Sequence, residues 1–192
     1  YDMSVNNDSG NWQYYEWTNA FSVEKVKELN KTIDEEYNKL EDTHMGSQWK
    51  NISAVKWVSY GAVKHLIESF VDDAFRVAQY DFGYNIFPYQ DCTQLNHNTY
   101  DAKDKSDYGW HTDSSRLPTT DIKLTLLINL SEKSYKGGEF QICNSPKEQT
   151  IESYNSAGSA FMFKSHILHR VLPLTYGVRK SLSLFLQGPR FQ

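Results

Sequence analysis

Apolar residues recur at helical spacing in two stretches of the first 80 residues. The first begins after Ser22, a favourable N-cap residue, and the pattern continues to about Asp42. The second runs from about Gly61 to Gln79. The two apolar stripes consist of Val23, Val26, Leu29, Ile33, Tyr37 and Leu40, and of Leu66, Phe70, Ala74 and Val77. The sequence therefore predicts two amphipathic helices, each with one buried face and one solvated face.

From Asp81 onward the pattern changes to short alternating or apolar runs separated by glycine, proline and polar turn residues. The alternation of Tyr15 and Trp17 indicates a further short strand near the N-terminus, and 52–60 is either a strand or an extended connection. The predicted strands after Asp81 are 82–88, 92–100, 107–111, 123–130, 138–143, 149–154, 159–163, 167–172 and 180–187. Many short strands at this spacing favour a β-sandwich or a jelly roll.

Composition limits the class of protein. A chain of 192 residues is long enough for one full hydrophobic core, and we expect a single domain over 1–192. The net charge is −4 without a basic run, which argues against a dedicated nucleic-acid-binding protein. The two cysteines, Cys92 and Cys143, favour a reduced setting over a disulfide framework. With no long apolar run and no visible secretory signal, we expect a cytoplasmic protein without a membrane span.

The candidate chemistry centres on His111 and Asp113. Alternate residues of a strand share a face, so an imidazole and a carboxylate would project into one space. A second histidine from a distant strand would complete the 2-His-1-carboxylate triad of non-haem Fe(II) oxygenases, which leaves coordination positions open. Cupin-like metal proteins are a poor match, because His-x-His followed by Glu is their usual motif.

Two downstream histidines compete for the remaining metal position. His166 and His169 are three residues apart, so on a strand they would point to opposite faces and only one would join the triad. His97 lies three residues before Tyr100, and on a strand it would point away from that tyrosine.

The segment from about Tyr84 to Gln187 resembles the catalytic half of an Fe(II)/2-oxoglutarate dioxygenase of the prolyl-hydroxylase-like branch, and bacterial PKHD-type hydroxylases above all. The residues that carry the resemblance are Tyr100, Tyr108 to Asp113, Gly137 to Phe140, His169 to Val171 and Gly177 to Arg179. The resemblance implies a jelly roll, or double-stranded β-helix, over 81–192, with 1–80 as its helical support. It also favours His169 over His166 as the third ligand of Fe(II).

The resemblance further implies that 2-oxoglutarate and O2 are consumed, that succinate and CO2 are released, and that ascorbate keeps the iron reduced. Arg179, ten residues after His169, would pair with the distal carboxylate of 2-oxoglutarate, since arginine gives a permanently charged, bidentate partner. Ser181 and Ser183 share its strand face and offer hydroxyl donors. Tyr100 and Asn129 match family positions near the cosubstrate, although human prolyl hydroxylases carry tyrosine at the position of Asn129.

The substrate implied by the resemblance is a prolyl residue of a protein or peptide, hydroxylated at the 4-position. A free amino acid, a small metabolite or a nucleic acid on the same core is the alternative, and a non-catalytic jelly-roll binding module is the alternative from another class. We expect the segments 101–107 and 112–122 to border the mouth of the site and to be mobile without substrate. Gly137 and Gly138 are predicted to form a hairpin turn without chemistry.

Overall fold

The computed structural model describes residues 13–37, 50–113, 119–144 and 147–190. Within these ranges, two helices, α1 (Val23–Tyr37) and α2 (Tyr60–Tyr80), accompany thirteen strands. The strands are β1 (Tyr14–Trp17), β2 (Lys50–Asn51), β3 (Ala54–Ser59), β4 (Gln94–Asp101), β5 (Asp107–His111), β6 (Thr120–Asn129), β7 (Lys136–Gly137), β8 (Phe140–Asn144), β9 (Lys147–Thr150), β10 (Ala160–Lys164), β11 (Leu168–Val171), β12 (Leu174–Tyr176) and β13 (Val178–Pro189).

The strands form two main sheets and a small two-stranded one. The major sheet has the order β1-β10-β6-β13-β4-β3 and the minor sheet the order β2-β5-β11-β8-β9, while β12 pairs with β7. Every pairing is antiparallel. The predicted fold class, a jelly roll buttressed by helices, is confirmed.

The helices cover the outer face of the major sheet. The serine predicted as the N-cap of α1 accepts a hydrogen bond from the backbone N–H of Lys25 through its hydroxyl, and α1 then runs to Tyr37; the predicted extension to Asp42 lies outside the described residues. Nine residues of α2 are buried. Each large apolar side chain buried in this way contributes about 1.5–3 kcal/mol, so the outer face of the sheet is held chiefly by the hydrophobic effect.

The two apolar clusters of the protein lie on opposite sides of the major sheet. Leu182, Leu184 and Leu186 of β13 join the cluster beneath the helices. Phe161 and Phe163 of β10 face the other way and join Phe140, Ile142 and Val171 of the minor sheet. The space between the two sheets therefore has an aromatic core of its own, and the functional residues lie beside it.

Three predicted elements differ in the structure. The segment 82–88 is not a strand: Gly83 has φ +71°, and the backbone N–H of Tyr84 bonds to α2 at Ala78 while that of Phe87 bonds to Gln187. Its alternating apolar residues pack against the core beneath α2 instead. The predicted strand 149–154 ends at Thr150 and is followed by a 3-10 turn, Glu152–Asn155.

Gly137 and Gly138 do not form a hairpin turn either. Gly137 pairs with Leu174 across the two-stranded sheet, and both glycines have positive φ, at 74° and 69°. A Cβ atom on Gly137 would lie 2.4 Å from the carbonyl oxygen of Pro173, and one on Gly138 would lie 3.2 Å from Cδ of Arg179. Glycine is needed here because the chain passes close to β12 and to Arg179.

The first 80 residues do more than support the catalytic core. They supply β1 and β3, the two edge strands of the major sheet, and β2, an edge strand of the minor sheet. The predicted short strand at Tyr15 and Trp17 is confirmed, and 52–60 contains β3. Neither helix of the described part of the chain is long and apolar enough to cross a membrane.

We expect His97 to make the stability of the metal-free protein fall in mild acid. The ring is 1% exposed, its Nε2 lies 3.1 Å from the side-chain oxygen of Asn30, and its Nδ1 has no partner. Burial lowers the pKa of His97 from 6.5 to about 4. Between these two pH values His97 binds a proton in the unfolded chain but not in the folded protein. The free energy of unfolding therefore falls by roughly 3 kcal/mol as pH falls from 6.5 to 4.

Denaturant unfolding at several pH values, in buffer with a chelator, measures this loss. The variant His97→Gln, whatever its stability at pH 8, should lose about 3 kcal/mol less than the unaltered protein between pH 6.5 and pH 4. Equal losses in the two proteins would contradict the assignment of this pH dependence to His97.

Candidate active site

Two neighbouring strands of the minor sheet place the two histidines together. β5 ends at His111 and β11 carries His169, and these residues are direct partners in the antiparallel register. Asp113 follows two residues after His111, where its backbone N–H donates to the carbonyl oxygen of Ser165 at 2.9 Å. The sheet thus brings His169 next to His111 and Asp113, which lie much earlier in the sequence.

The three side chains converge on one point. Nε2 of His169 lies 3.6 Å from Oδ2 of Asp113, and Nε2 of His111 lies 3.9 Å from Oδ1. One ligand atom from each residue falls within 4.8 Å of the other two. Two imidazoles and one carboxylate in this arrangement match the facial triad that binds non-haem Fe(II).

The backbone fixes which nitrogen of each imidazole faces the site. Nδ1 of His111 lies 2.8 Å from the carbonyl oxygen of Gly109, and Nδ1 of His169 lies 2.9 Å from that of Ile167. A carbonyl oxygen only accepts, so each Nδ1 carries the proton and each Nε2 keeps its lone pair for a metal. Burial lowers the pKa of His169, which also favours the neutral, ligating form.

Neighbouring side chains restrict the movement of the triad. The hydroxyl of Thr125 donates to Oδ2 of Asp113 at 2.5 Å, and the ring of Tyr108 stacks on His111 with the ring centroids 3.6 Å apart. Phe163 packs edge-on against His169 at 4.7 Å. A metal site supported in this way is pre-organised before a metal binds.

A cavity of about 180 Å³ adjoins the triad and runs along the inner face of the major sheet. On β13 its lining consists of alternate residues, Arg179, Ser181, Ser183 and Phe185. Phe185 pairs with Thr125 in the β6–β13 register. Because Thr125 contacts Asp113, the triad lies at one end of this row and Arg179 lies three side-chain positions away.

Arg179 is a buried cation without a counter-charge among the described residues. It is 2% exposed and its Nη1 has no hydrogen-bond partner. The ionisable side chains that act on the guanidinium are tyrosines, and no carboxylate is among them. Its Cζ lies 5.1 Å from the ring centroid of Tyr100 and 5.3 Å from that of Tyr154. Burying such a cation destabilises the folded protein unless an anion pairs with it.

Comparison with known proteins agrees with this geometry. Residues 94–187 match the family model of the 2OG-Fe(II) oxygenase superfamily. This segment of the chain belongs to that superfamily. The chain is 39% identical over 78 residues to a PKHD-type hydroxylase of Psychrobacter sp. (strain PRwf-1), a match that covers 41% of this chain and 29% of that protein. The chain thus spans less than a third of the length of that relative.

The solved structures it resembles extend the likeness to the whole fold. A prolyl-4-hydroxylase of Pseudomonas putida superposes with a TM-score of 0.71 at 15% identity and covers 94% of each chain. A prolyl hydroxylase of Trichoplax adhaerens, in complex with a hypoxia-inducible-factor degradation-domain peptide, gives 0.68 at 18% identity and covers 91% of this chain and 83% of that one. The resemblance to this branch of the superfamily, predicted from sequence motifs, is confirmed.

The structure brings most of the predicted site residues of this 2OG-Fe(II) oxygenase into one cavity. Its lining includes the triad, Tyr100, Arg179, Ser181 and Ser183. Asn129 is not brought there. Its amide donates to the carbonyl oxygen of Tyr154 at 2.8 Å and to the hydroxyl of Tyr135 at 3.1 Å. These bonds hold its side chain against the Glu152–Asn155 turn, although Asn129 lies opposite the cavity-lining Ser181 in the β6–β13 register.

The other two histidines lie away from the triad. His166 is exposed in the turn between β10 and β11, and His97 faces the helix side of the major sheet, where it contacts Asn30 of α1. The strand period describes the position of His97 relative to Tyr100, since both lie on β4. It does not apply to His166, which precedes β11 in a turn.

Sequence reasoning missed two residues. Thr125 lies on the same strand face as Leu127, so its position was visible, but nothing in the sequence pointed to its contact with Asp113. Tyr154 lies on the 3-10 turn Glu152–Asn155, outside any strand alternation, and no sequence signal placed it near Arg179.

The segment 101–107 is held more firmly than a mobile lid would be. It contains a 3-10 turn, Ala102–Asp104, and its backbone bonds to Gly177 and to Leu174. Ser106 is fully buried, and its hydroxyl lies 2.8 Å from that of Ser53. These contacts favour a fixed wall at 101–107. Of the segment 112–122, residues 114–118 lie outside the described part of the chain.

Replacing His169 with alanine should remove a metal ligand, whereas His166→Ala should leave metal affinity unchanged because His166 is exposed and turned away. We expect at least a 100-fold loss of Mn(II) or anaerobic Fe(II) affinity for His169→Ala, measured by titration calorimetry. Intact metal binding in His169→Ala, with loss in His166→Ala, would exchange the two assignments.

Thr125→Val should weaken metal binding without unfolding the protein. The substitution keeps the shape of the side chain but removes the hydroxyl that orients Asp113, and the loss of such an orienting contact typically costs 10- to 100-fold in affinity. Thr99→Val, on the opposite face of β4 from the cavity, is the matched control and should bind metal normally. Equal affinities for the two variants would exclude an orienting role for Thr125.

Proposed function

We propose that this protein is an Fe(II)- and 2-oxoglutarate-dependent dioxygenase that hydroxylates a C–H bond. The observation that carries the proposal is the pairing of two features in one cavity: a 2-His-1-carboxylate triad and, at the other end, a buried Arg179 without an anionic partner. A bifunctional anion with a metal-chelating end and a carboxylate end fits between them.

Charge balance favours a dianion in particular. Fe(II) with the Asp113 carboxylate would leave one net positive charge, and Arg179 adds a second. Both lie in a largely buried cavity, where uncompensated charge is costly. A 2-oxo dicarboxylate such as 2-oxoglutarate neutralises both, with its 2-oxo acid end at the triad and its distal carboxylate at the guanidinium.

The residues that line the cavity would bind either the metal or the 2-oxo acid, according to their position. His111, Asp113 and His169 would hold Fe(II), which supplies the redox chemistry when bound. Ser183 accepts a hydrogen bond from Asn98 at 3.0 Å and so keeps its own hydroxyl proton available to donate. Ser181, Ser183 and Tyr100 would line the path of the dicarboxylate, and Arg179 would pair with its far end.

The overall reaction balances without a further co-reactant. One oxygen atom of O2 enters succinate as 2-oxoglutarate loses CO2, and the other enters the hydroxylated product. Ascorbate would act outside this stoichiometry, by returning iron to the ferrous state after an uncoupled turnover.

For the substrate we propose a prolyl residue of a protein or peptide, hydroxylated at the 4-position. The fold likeness to prolyl hydroxylases supports this, including one solved with a peptide. The cavity supports it too, because about 180 Å³ is less than the ~300–1,000 Å³ typical of pockets that enclose a whole ligand. Such a cavity would hold the 2-oxo acid and leave the target residue to reach in from outside.

The alternative enzymatic substrate is a free amino acid, a small metabolite or a nucleic acid. It would require a larger enclosed space or a basic surface. A non-catalytic binding module is disfavoured, since the three metal ligands and Arg179 would have no reason to stay arranged around one cavity.

Succinate release is the direct test of the reaction. The protein with Fe(II), 2-oxoglutarate and ascorbate should release succinate faster when a proline-rich peptide library is added, and mass spectrometry should find one added oxygen atom in the products. His111→Ala is the inactive control. Succinate release that no peptide stimulates, but that free amino acids or metabolites do, would overturn the substrate and keep the reaction class.

Arg179 provides a second test, by affinity. Arg179→Ala should weaken 2-oxoglutarate binding by two or more orders of magnitude, which corresponds to roughly 3–5 kcal/mol for an unpaired buried charge. Arg179→Lys should recover part of this, because an ammonium lacks the planar fork of a guanidinium. Metal affinity should be unchanged in both. A titration in which Arg179→Ala binds 2-oxoglutarate normally would assign the carboxylate to another cation.

A further inference from the structure

Two residues that each carry an unsatisfied polar atom are neighbours in the described part of the chain. Among the described residues, four buried side-chain atoms lack a hydrogen-bond partner: Tyr89 Oη, His97 Nδ1, Tyr154 Oη and Arg179 Nη1. Cζ of Arg179 lies 5.3 Å from the centroid of the Tyr154 ring. Buried polar atoms without partners are rare and costly, so two at one place indicate a binding partner that both atoms share.

The position of Tyr154 is fixed by its surroundings and not by its hydroxyl. Its ring packs edge-on against that of Phe140, with the ring centroids 5.9 Å apart, and at a tilt against that of Phe161, at 6.3 Å. Its carbonyl oxygen accepts the amide of Asn129 at 2.8 Å. Asn129 therefore holds the turn that carries Tyr154, so that the phenol ring lies beside Arg179 while its hydroxyl makes no hydrogen bond of normal length among the described residues.

Hydrogen-bonding chemistry limits what the shared partner can be. A guanidinium has donors only, so Nη1 needs an acceptor. The Tyr154 hydroxyl stays protonated, since burial raises its pKa to about 12, and it can donate as well. A group that accepts from both is an anion with at least two acceptor sites, as a carboxylate is.

The neighbouring Tyr135 is already satisfied and does not need such a partner. Its hydroxyl accepts from the amide of Asn129 at 3.1 Å and donates to the carbonyl oxygen of Asn155 at 3.3 Å. Of these two tyrosines, Tyr154 is the one whose hydroxyl makes no hydrogen bond among the described residues.

We propose that the Tyr154 hydroxyl donates directly to the distal carboxylate of the 2-oxo acid, beside Arg179, and so helps to select a dicarboxylate. This inference rests on the proposed function. It gives a cosubstrate-binding role to a residue of a 3-10 turn, outside the strands that supply the other contacts, and it gives Asn129 a positioning role through that turn.

The test is Tyr154→Phe, which keeps the ring and its packing and removes only the oxygen. Calorimetric titration of 2-oxoglutarate into the Mn(II)-loaded protein should give roughly 10- to 100-fold weaker binding, as for the loss of a hydrogen bond to a charged group. Binding of 2-oxopentanoate, which has the same chain length without the distal carboxylate, should be unchanged. Mn(II) affinity and the melting temperature of the metal-free protein should also be unchanged.

Tyr89→Phe is the matched control, because it removes the other buried, unpartnered tyrosine hydroxyl, which lies in the core beside Tyr60 and Phe75. It should leave the affinity for both 2-oxo acids unaltered.

The possible failures are distinguishable. If Tyr154→Phe binds 2-oxoglutarate as tightly as the unaltered protein while Arg179→Ala does not, the role of Tyr154 is overturned and the proposed function stands. Equal weakening of 2-oxoglutarate and 2-oxopentanoate would overturn it as well, and would assign Tyr154 to packing. If the unaltered protein binds no 2-oxoglutarate, the proposed function and this inference both fail.

Discussion

The register between β6 and β13 is the constraint on which the rest of the structure depends. In this pairing Leu182 lies opposite Ile128, and Ser183 lies opposite Leu127. Because side chains alternate strictly along a strand, one face of the pair is apolar and packs beneath the helices while the other faces the cavity. A slip by one residue would place leucines in the cavity and Arg179 in the core. Fold stability and site geometry therefore depend on the same register.

The cavity concentrates polar groups that would destabilise an ordinary core. Arg179 has no anionic partner among the described residues, and Tyr154 has an unused donor. Natural proteins generally keep such groups for function, since replacing them with apolar residues of similar size would often stabilise the fold. The aromatic cluster around Phe140 and Phe161 offsets part of this free-energy cost, because its packing stabilises the fold and restricts the movement of the polar groups beside it.

Strand alternation and motif spacing predicted what depends on local geometry. They placed Arg179 and Ser181 on one face. The preference for His169 came instead from the family resemblance, because His166 lies in a turn and not on a strand. What they missed depends on contacts between distant segments. The aromatic residues of 82–88 alternate like those of a strand, but they fill the core beneath α2 without a strand partner. Tyr154 reaches Arg179 from a turn, and a turn has no period from which its side-chain direction can be read.

Both histidines of the candidate triad are oriented by main-chain carbonyl oxygens two residues upstream, at Gly109 and Ile167. Many metal sites use a carboxylate side chain for this purpose, and a single substitution removes it. Here no substitution can delete the acceptor, because every amino acid carries that carbonyl group. The tautomer of each histidine is thus set by the backbone. Side chains around the candidate metal site can change in evolution without changing which ring nitrogen faces the site.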